Sequence, residues 1–142
     1  MNKVGRPDKE SKLLGAPIIA ATRKRGETTV YIEERIYVLQ FSKVPEYFRL
    51  YEAEGLAIQT RHLPHMAGYY FTEVGTQNQV VHLWAYEDLD QRERCRAALM
   101  ADPAWRAYVA KIAPLIVTQE TRLMKCAPFF LERLKKMLAA AK

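Results

Sequence analysis

The sequence is poor in the features that mark export, membrane insertion and disulfide scaffolds. Its 142 residues include only two cysteines, Cys95 and Cys126. Two isolated cysteines exclude a disulfide framework and a cysteine-based zinc site, and they are typical of a reducing compartment. No apolar run approaches the ~20 residues that a membrane helix needs. The nearest run, 13–21, contains a glycine and a proline and follows two acidic residues, unlike an export signal. We therefore expect a cytoplasmic protein without membrane insertion.

Motifs of several enzyme classes are also missing. The chain has no G-x-G-x-x-G or P-loop, no G-x-S-x-G elbow and no H-E-x-x-H. These absences disfavour nucleotide-dependent and serine-nucleophile chemistry, and we expect no cofactor. His62 and His65 have a spacing that metal ligands can use, but Pro64 places them in a predicted loop without a carboxylate nearby. We expect no metal site.

The net charge of +6 lies at the two ends of the chain. Residues 1–26 hold seven basic and two acidic residues, and residues 131–142 hold four and one. The middle, 27–130, holds eleven basic and thirteen acidic residues. A nearly neutral middle without a zinc finger, a helix-turn-helix or an aromatic-basic RNA motif argues against nucleic-acid binding. We divide the chain into a basic N-terminal extension (1–27), one folded domain (28–130) and a basic C-terminal tail (131–142).

Four segments of the middle region have strand-like composition. β-Branched and aromatic residues predict strands at 28–39, 66–74, 79–86 and 115–126. The second and third strands form a hairpin through the turn at 75–78, which contains glycine and asparagine.

Helices are predicted between the first and second strands and between the third and fourth. The first begins near Pro45, which suits a first helical turn, and it ends near Leu56. The second begins at Asp88 or Asp90 and restarts at Asp102, an N-cap residue followed by proline. The order βαββαβ is the ferredoxin-like split unit of the α+β class, with a four-stranded antiparallel sheet.

The third strand is apolar on both faces. Val81, Leu83 and Ala85 share one side, and the other side is formed by Val80, His82, Trp84 and Tyr86. Helices in this topology cover only one face of the sheet. We place Trp84 and Tyr86 on the face that the protomer leaves uncovered, and we expect a second copy to cover it in a homodimer.

Seven segments of the sequence carry a resemblance to a known family. They are RIYVL (35–39), YEAEGL (51–56), GYYFTEVG (68–75), NQVVHLWAY (78–86), DQRER (90–94), DPAW (102–105) and QETR (119–122). Together they resemble the NIPSNAP family, a branch of the dimeric α/β-barrel superfamily, over roughly residues 29–130. The resemblance implies a homodimer in which two sheets pack as a barrel and the sheet frames a pocket. It does not imply a settled activity.

Polar and aromatic side chains on three predicted strands are candidates for a ligand site. Glu33 precedes Arg35 on the first strand by two residues, as Glu120 precedes Arg122 on the fourth, so the two pairs can meet across neighbouring strands. If these strands turn the same set of side chains to one face of the sheet, the residues form a single patch. Such a patch can bind a carboxylate or a planar polar ligand, with arginine pairing with the anion. The candidate ligand-binding residues are Arg35, Tyr37, His82, Trp84, Tyr86, Glu120 and Arg122, and the candidate catalytic residue is His82.

Each candidate also has a purely structural interpretation. Glutamate–arginine pairs on sheets are commonly cross-strand ion pairs that contribute ~0.2–1 kcal/mol when exposed. A lone histidine between apolar residues is commonly structural, and buried Trp84 and Tyr86 can fill a core or an interface. A solvated helix face is predicted for Arg92, Arg94, Arg96 and Arg106.

Two functions follow from these patterns. The first is a homodimeric module that binds a small molecule or a protein. The alternative is a cofactor-independent enzyme of the isomerase, decarboxylase or monooxygenase type that uses a polar pocket on the sheet. The binding module is favoured by the third strand, which is apolar on both faces, by the basic ends of the chain and by the family's lack of a settled reaction.

Overall fold

The fold is built on one four-stranded antiparallel sheet. A computed structural model of the protein describes residues 29–141, so the extension predicted for residues 1–27 lies outside the described residues. The sheet order is β2-β3-β1-β4. The strands are β1 (Tyr31–Leu39), β2 (His65–Phe71), β3 (Gln79–Tyr86) and β4 (Ile116–Lys125). This order confirms the predicted ferredoxin-like α+β fold.

The connection from β1 to β2 is one long helical segment. Helix α1 (Val44–Leu50) has a proline in its first turn, as predicted, and passes through a π-helical turn (Tyr51–Gly55) into α2 (Leu56–His62). The predicted helix end near Leu56 is therefore wrong. Gly55 lies inside the helix, where two aromatic rings leave no room for a side chain. A Cβ there would lie 2.7 Å from the Tyr108 ring and 2.8 Å from the Tyr51 ring. This glycine permits close packing and does not terminate the helix.

Two helices connect β3 to β4, and each begins at an aspartate. Helix α3 (Leu89–Ala101) follows Asp88, whose carboxylate accepts a 2.7 Å hydrogen bond from the Gln91 backbone N–H. Helix α4 (Pro103–Ile112) follows Asp102, whose carboxylate accepts from the Ala104 backbone N–H at 2.9 Å. Both are ordinary N-caps and satisfy amides that the helix itself leaves unpaired. Within residues 29–141, no helix is both long and apolar enough to cross a membrane.

Helices α1 to α4 cover one side of the sheet, which we call the helix face. Trp84 and Tyr86 lie on this face and are 0% and 1% exposed. They pack with Leu99 and Tyr108 in the main hydrophobic core. The prediction that the protomer leaves Trp84 and Tyr86 uncovered is therefore wrong. Strand alternation shows which side chains share a face, but it does not show which face receives the helices.

Within residues 29–141, the opposite side of the sheet, the open face, is covered only at one end. Residues of the predicted C-terminal tail form α5 (Leu131–Ala140), which buries Leu134 against Val30 and Ala85. Beyond α5, the open face presents partly buried Val38, Val81 and Leu83 and the exposed Tyr70, whereas Ile36 on this face is buried. Tyr70 is 56% exposed. Among residues 29–141, the apolar surface left uncovered therefore lies on this opposite face.

Candidate ligand-binding site

A cavity of about 480 Å³ lies between the helix face of the sheet and helices α3 and α4. Its volume lies within the range of small-molecule pockets. Three of the predicted site residues line it, namely Arg35, Tyr37 and His82. The other prominent lining side chains come from the helices: Tyr47, Tyr51, Gln59, Arg96, Trp105 and Tyr108. The cavity therefore combines cationic groups with an aromatic wall.

The cationic end of the cavity is organised around a buried glutamate. Glu33 is fully buried, and its Oε1 accepts hydrogen bonds from Arg35 Nη1 at 2.9 Å and from Arg92 Nη2 at 3.1 Å. Arg96 Nη1 lies 3.5 Å from Glu33 Oε2. Burial acts to raise the pKa of Glu33, but the charge of Arg96 and the arginine hydrogen bonds outweigh burial and lower it. Three guanidinium groups thus surround one carboxylate and leave an excess of positive charge.

The position of Arg92 and Arg96 differs from the sequence prediction. Both were expected on a solvated helix face, and the structure instead turns them toward Glu33. Their i, i+4 spacing places them on the same side of α3, above the sheet. The i, i+4 spacing indicated that the two arginines share a side of the helix. It did not identify the carboxylate that they contact, because Glu33 is 59 residues from Arg92 in sequence.

His82 is held by its neighbour on the same strand face. The Trp84 Nε1–H donates a 2.8 Å hydrogen bond to His82 Nδ1. The Tyr69 ring stacks on the imidazole with centroids 4.8 Å apart, and the Tyr37 ring lies edge-on at 4.9 Å. Burial, together with the charges of Arg35 and Arg96, lowers the pKa of His82 to about 3. His82 is therefore a neutral imidazole at physiological pH.

Tyrosine hydroxyls supply most of the remaining polar atoms. The Tyr47 and Tyr69 hydroxyls are 3.0 Å apart, and the Tyr51 hydroxyl donates to Gln59 Oε1 at 2.8 Å. Burial raises the pKa of Tyr47, Tyr51, Tyr69 and Tyr108, so these phenols stay protonated. No signal in the sequence identified Gln59 as a lining residue.

The other predicted site residues do not line this cavity. Trp84 lies on the same sheet face and donates a hydrogen bond to His82, whereas Tyr86 lies near Glu33. Burial and the Glu33 charge raise the pKa of Tyr86 to about 12. Tyr86 also borders a second cavity, of about 400 Å³, between α5 and the end of β3. That cavity contains no other predicted site residue.

Glu120 and Arg122 lie on the open face, so the single patch expected from the sequence is divided. In the β1–β4 register, Arg122 is opposite Glu34, and Glu120 is opposite Ile36. Arg122 Nε donates to Glu120 at 2.9 Å, and Arg122 Nη1 lies 3.3 Å from Glu34. These groups form an exposed ion-pair network and do not approach Arg35. A one-residue difference in register reverses the face of every side chain on a strand.

His62 has a structural partner. Its Nε2 lies 2.8 Å from Asp102 Oδ2, which also accepts from Arg61 Nη2 at 2.8 Å. These hydrogen bonds, led by that of His62, lower the pKa of Asp102 to about 2. Among residues 29–141, no group of three or more His, Cys, Asp or Glu side chains is placed to hold a metal ion.

The chain is similar to proteins of one family. The NIPSNAP family model matches residues 32–130. A crystal structure of a NIPSNAP family protein with unknown function from Agrobacterium tumefaciens is 42% identical and has a TM-score of 0.71, covering 72% of this chain and 93% of that chain. An uncharacterized NIPSNAP-like domain protein from Burkholderia xenovorans is 43% identical with a TM-score of 0.70, covering 72% and 90%.

Similarity to animal proteins is partial. Protein NipSnap homolog 3A of Homo sapiens is 30% identical over 77% of this chain and 44% of its own length. The zebrafish protein NipSnap homolog 1 is 42% identical, but the match spans about a fifth of that protein. A putative antibiotic biosynthesis monooxygenase from Nitrosomonas europaea is only 10% identical with a TM-score of 0.54, and this likeness concerns the fold alone.

Proposed function

The chain belongs to the NIPSNAP family, and we propose that it is a homodimeric module that binds a small molecule in the cavity on the helix face. The observation that carries this proposal is the convergence of Arg35, His82 and Arg96 on one cavity of about 480 Å³. The cavity is partly open to solvent, since Met100 and Val117 in its lining are exposed. A concave site of this size, with aromatic walls and a few converging polar groups, is typical of a small-molecule pocket.

Ligand retention tests the proposal directly. We expect native mass spectrometry of the purified protein to detect a bound small molecule, and we expect Arg35→Ala and His82→Ala to lose it. Val109 is a partly buried residue that lines the cavity, so Val109→Trp should fill the space and also abolish retention. Val74 is 91% exposed and does not line the cavity, so Val74→Trp is the matched control and should retain the molecule. Equal retention by Val109→Trp and Val74→Trp would refute the assignment to this cavity.

The proposed dimer rests on the composition of the open face. Val81 and Leu83 of β3 are partly exposed on this face, and the exposed Tyr70, directly paired with Val81, extends the apolar surface. At the β4 edge, Glu120 and Arg122 carry opposite charges on the same face, so two copies related by a twofold axis can pair them reciprocally. Exposed apolar surface of this kind is typical of a protein–protein interface.

A charge at the centre of the open face should separate the subunits. We expect the wild-type protein to run as a dimer in size-exclusion chromatography with light scattering, and Val81→Glu to run as a monomer, because the glutamate would be desolvated at the interface. Thr121 is exposed on β4 and its side chain lies on the helix face. Thr121→Glu therefore adds the same charge away from the interface and should leave the dimer intact. A monomeric wild-type protein at micromolar concentration would contradict the proposed assembly.

A cofactor-independent enzyme is the second candidate, favoured by the placement of Arg35 directly opposite His82 in the β1–β3 register. In such an enzyme, His82, the candidate catalytic residue, would not serve as a general base. The Nδ1 atom accepts from Trp84, and the pKa of His82 is about 3, so the imidazole is a poor proton acceptor near neutral pH. Recovery of a retained molecule in chemically altered form after incubation would favour the enzyme over the binding module.

A further inference from the structure

The hydrogen bond between Trp84 and His82 fixes the tautomer of His82. An indole N–H can only donate a hydrogen bond, so His82 Nδ1, 2.8 Å away, must accept it. A neutral imidazole has one proton, which must then be on Nε2. A second proton on Nδ1 would face the indole N–H and would add a cation close to Arg35 and Arg96. The ring is therefore held as a hydrogen-bond donor at Nε2.

One buried donor at the cavity lacks an acceptor, and a guanidinium beside it is incompletely paired. His82 Nε2 is buried and has no hydrogen-bond partner among the described residues. Arg96 Nη1 is buried too, and it lies 3.5 Å from Glu33 Oε2 without forming a hydrogen bond. Both residues line the cavity. The nearby carboxylate, Glu33, is already shared among three arginines. Buried donors without acceptors are costly. The group that the cavity lacks is an oxygen atom that is negatively charged or a strong hydrogen-bond acceptor.

We infer that the cavity takes a small organic acid, with its carboxylate accepting from His82 and Arg96 and its flat apolar body packed against the aromatic wall. The inference rests on the proposed small-molecule function and specifies its ligand class. Trp105 and Tyr108, whose ring centroids are 5.1 Å apart, belong to this wall. A carboxylate supplies the missing acceptors and balances the excess positive charge, whereas a primary amide of the same shape brings two additional donors. Trp84 is a positioning residue in this arrangement because it acts through His82.

Pairs of acids and amides of equal shape test the ligand class. Benzoate and 2-naphthoate are titrated against benzamide and 2-naphthamide by isothermal calorimetry at pH 7. We expect each acid to bind about 10- to 100-fold more tightly than its amide, because hydrogen bonds to charged groups contribute more than neutral ones. Arg96→Gln should remove most of this difference and leave amide binding little changed. Arg94 is exposed on the same helix, so Arg94→Gln is the matched control and should keep the full difference.

The tautomer has an independent readout. In ¹⁵N-detected imidazole spectra, His82 should carry its proton on Nε2, and the Nε2 signal should move when an acid binds but not when an amide binds. His82→Gln, which keeps an amide N–H donor, should retain part of the preference for acids, whereas His82→Phe should lose it.

The outcomes separate the ligand class from the proposed function. Amides that bind as tightly as their acids, or a proton on His82 Nδ1, would overturn the acid assignment while the cavity remains a binding site. If no acid or amide binds and Val109→Trp retains the same molecules as the wild type, both the acid assignment and the binding function are rejected.

Discussion

Replacing Glu33 with alanine is expected to lower the free energy of unfolding by about 3–5 kcal/mol, the cost typical of breaking a buried ion pair. The carboxylate is fully buried and lies within 3.5 Å of Arg35, Arg92 and Arg96. Its removal leaves three guanidinium groups facing one another, and among the described residues the only carboxylate that remains beside them is the exposed Glu93, 3.9 Å from Arg92. Urea unfolding followed by circular dichroism measures the change, and added sulfate should restore part of the stability because it can replace the missing anion.

The control is a glutamate on the same sheet but on the open face. Glu120 is paired with Arg122 at 2.9 Å, and both side chains are more than half exposed. Exposed pairs of this kind contribute at most about 1 kcal/mol, so Glu120→Ala should change stability little. Similar losses for Glu33→Ala and Glu120→Ala would show that the arginines around Glu33 find water or other partners, and the account of a charge-organised cavity would fail.

The contrast between these two glutamates shows what the sequence revealed and what it did not. Both precede an arginine by two residues on a predicted strand, and both were grouped into one patch. The structure separates them because Ile36, and not Arg35, is opposite Glu120 in the β1–β4 register. Strand periodicity fixes relative faces within a strand, but the register between distant strands depends on packing.

Local signals predicted most of the element order. Asp102 before a proline marked the start of α4, and the turn at 75–78 marked the β2–β3 hairpin. Helix caps and turns depend on only a few neighbouring residues, so the sequence alone predicts them. The end of the first helix was wrongly placed near Leu56, because the packing of Gly55 against the Tyr108 ring, 53 residues away, is not visible in the local sequence.

The candidate site was predicted only in part, because sequence periodicity shows which residues of one strand share a face and not which elements meet. Strand alternation places Arg35 and Tyr37 on one face of β1, and the β1–β3 register adds His82 to the same cavity. The helical half of the cavity, including Arg96 and Gln59, was not predicted, since helix periodicity does not show which residue meets which strand. The apolar character of both faces of β3 was recognised, but the helices cover Trp84 and Tyr86, and α5 covers Ala85.

The protonation state of His82 leads to a second large effect, on the pH dependence of stability. The ordinary pKa of 6.5 applies to the unfolded chain, and the folded value is about 3. Between these values the unfolded chain binds a proton that the folded chain does not, so stability is lost as the pH falls from 6.5 toward 3. At about 1.4 kcal/mol per pKa unit, the loss approaches roughly 4–5 kcal/mol over the whole range, and about 2.5 kcal/mol by pH 4.5.

Urea unfolding of the wild type and of His82→Gln at several pH values between 7.5 and 4.5 isolates this contribution. Glutamine does not titrate, and its amide oxygen can accept from Trp84 Nε1–H in place of His82 Nδ1. The pKa of Glu33 is lowered from 4.5, so its contribution is lost mainly below this window. The other histidines are common to both proteins and cancel in the difference. We expect His82→Gln to be less stable at pH 7.5 but to lose about 2–3 kcal/mol less on acidification. Parallel curves would mean that His82 titrates alike in both states, and the assignment of a neutral, Nε2-protonated donor in the cavity would be wrong.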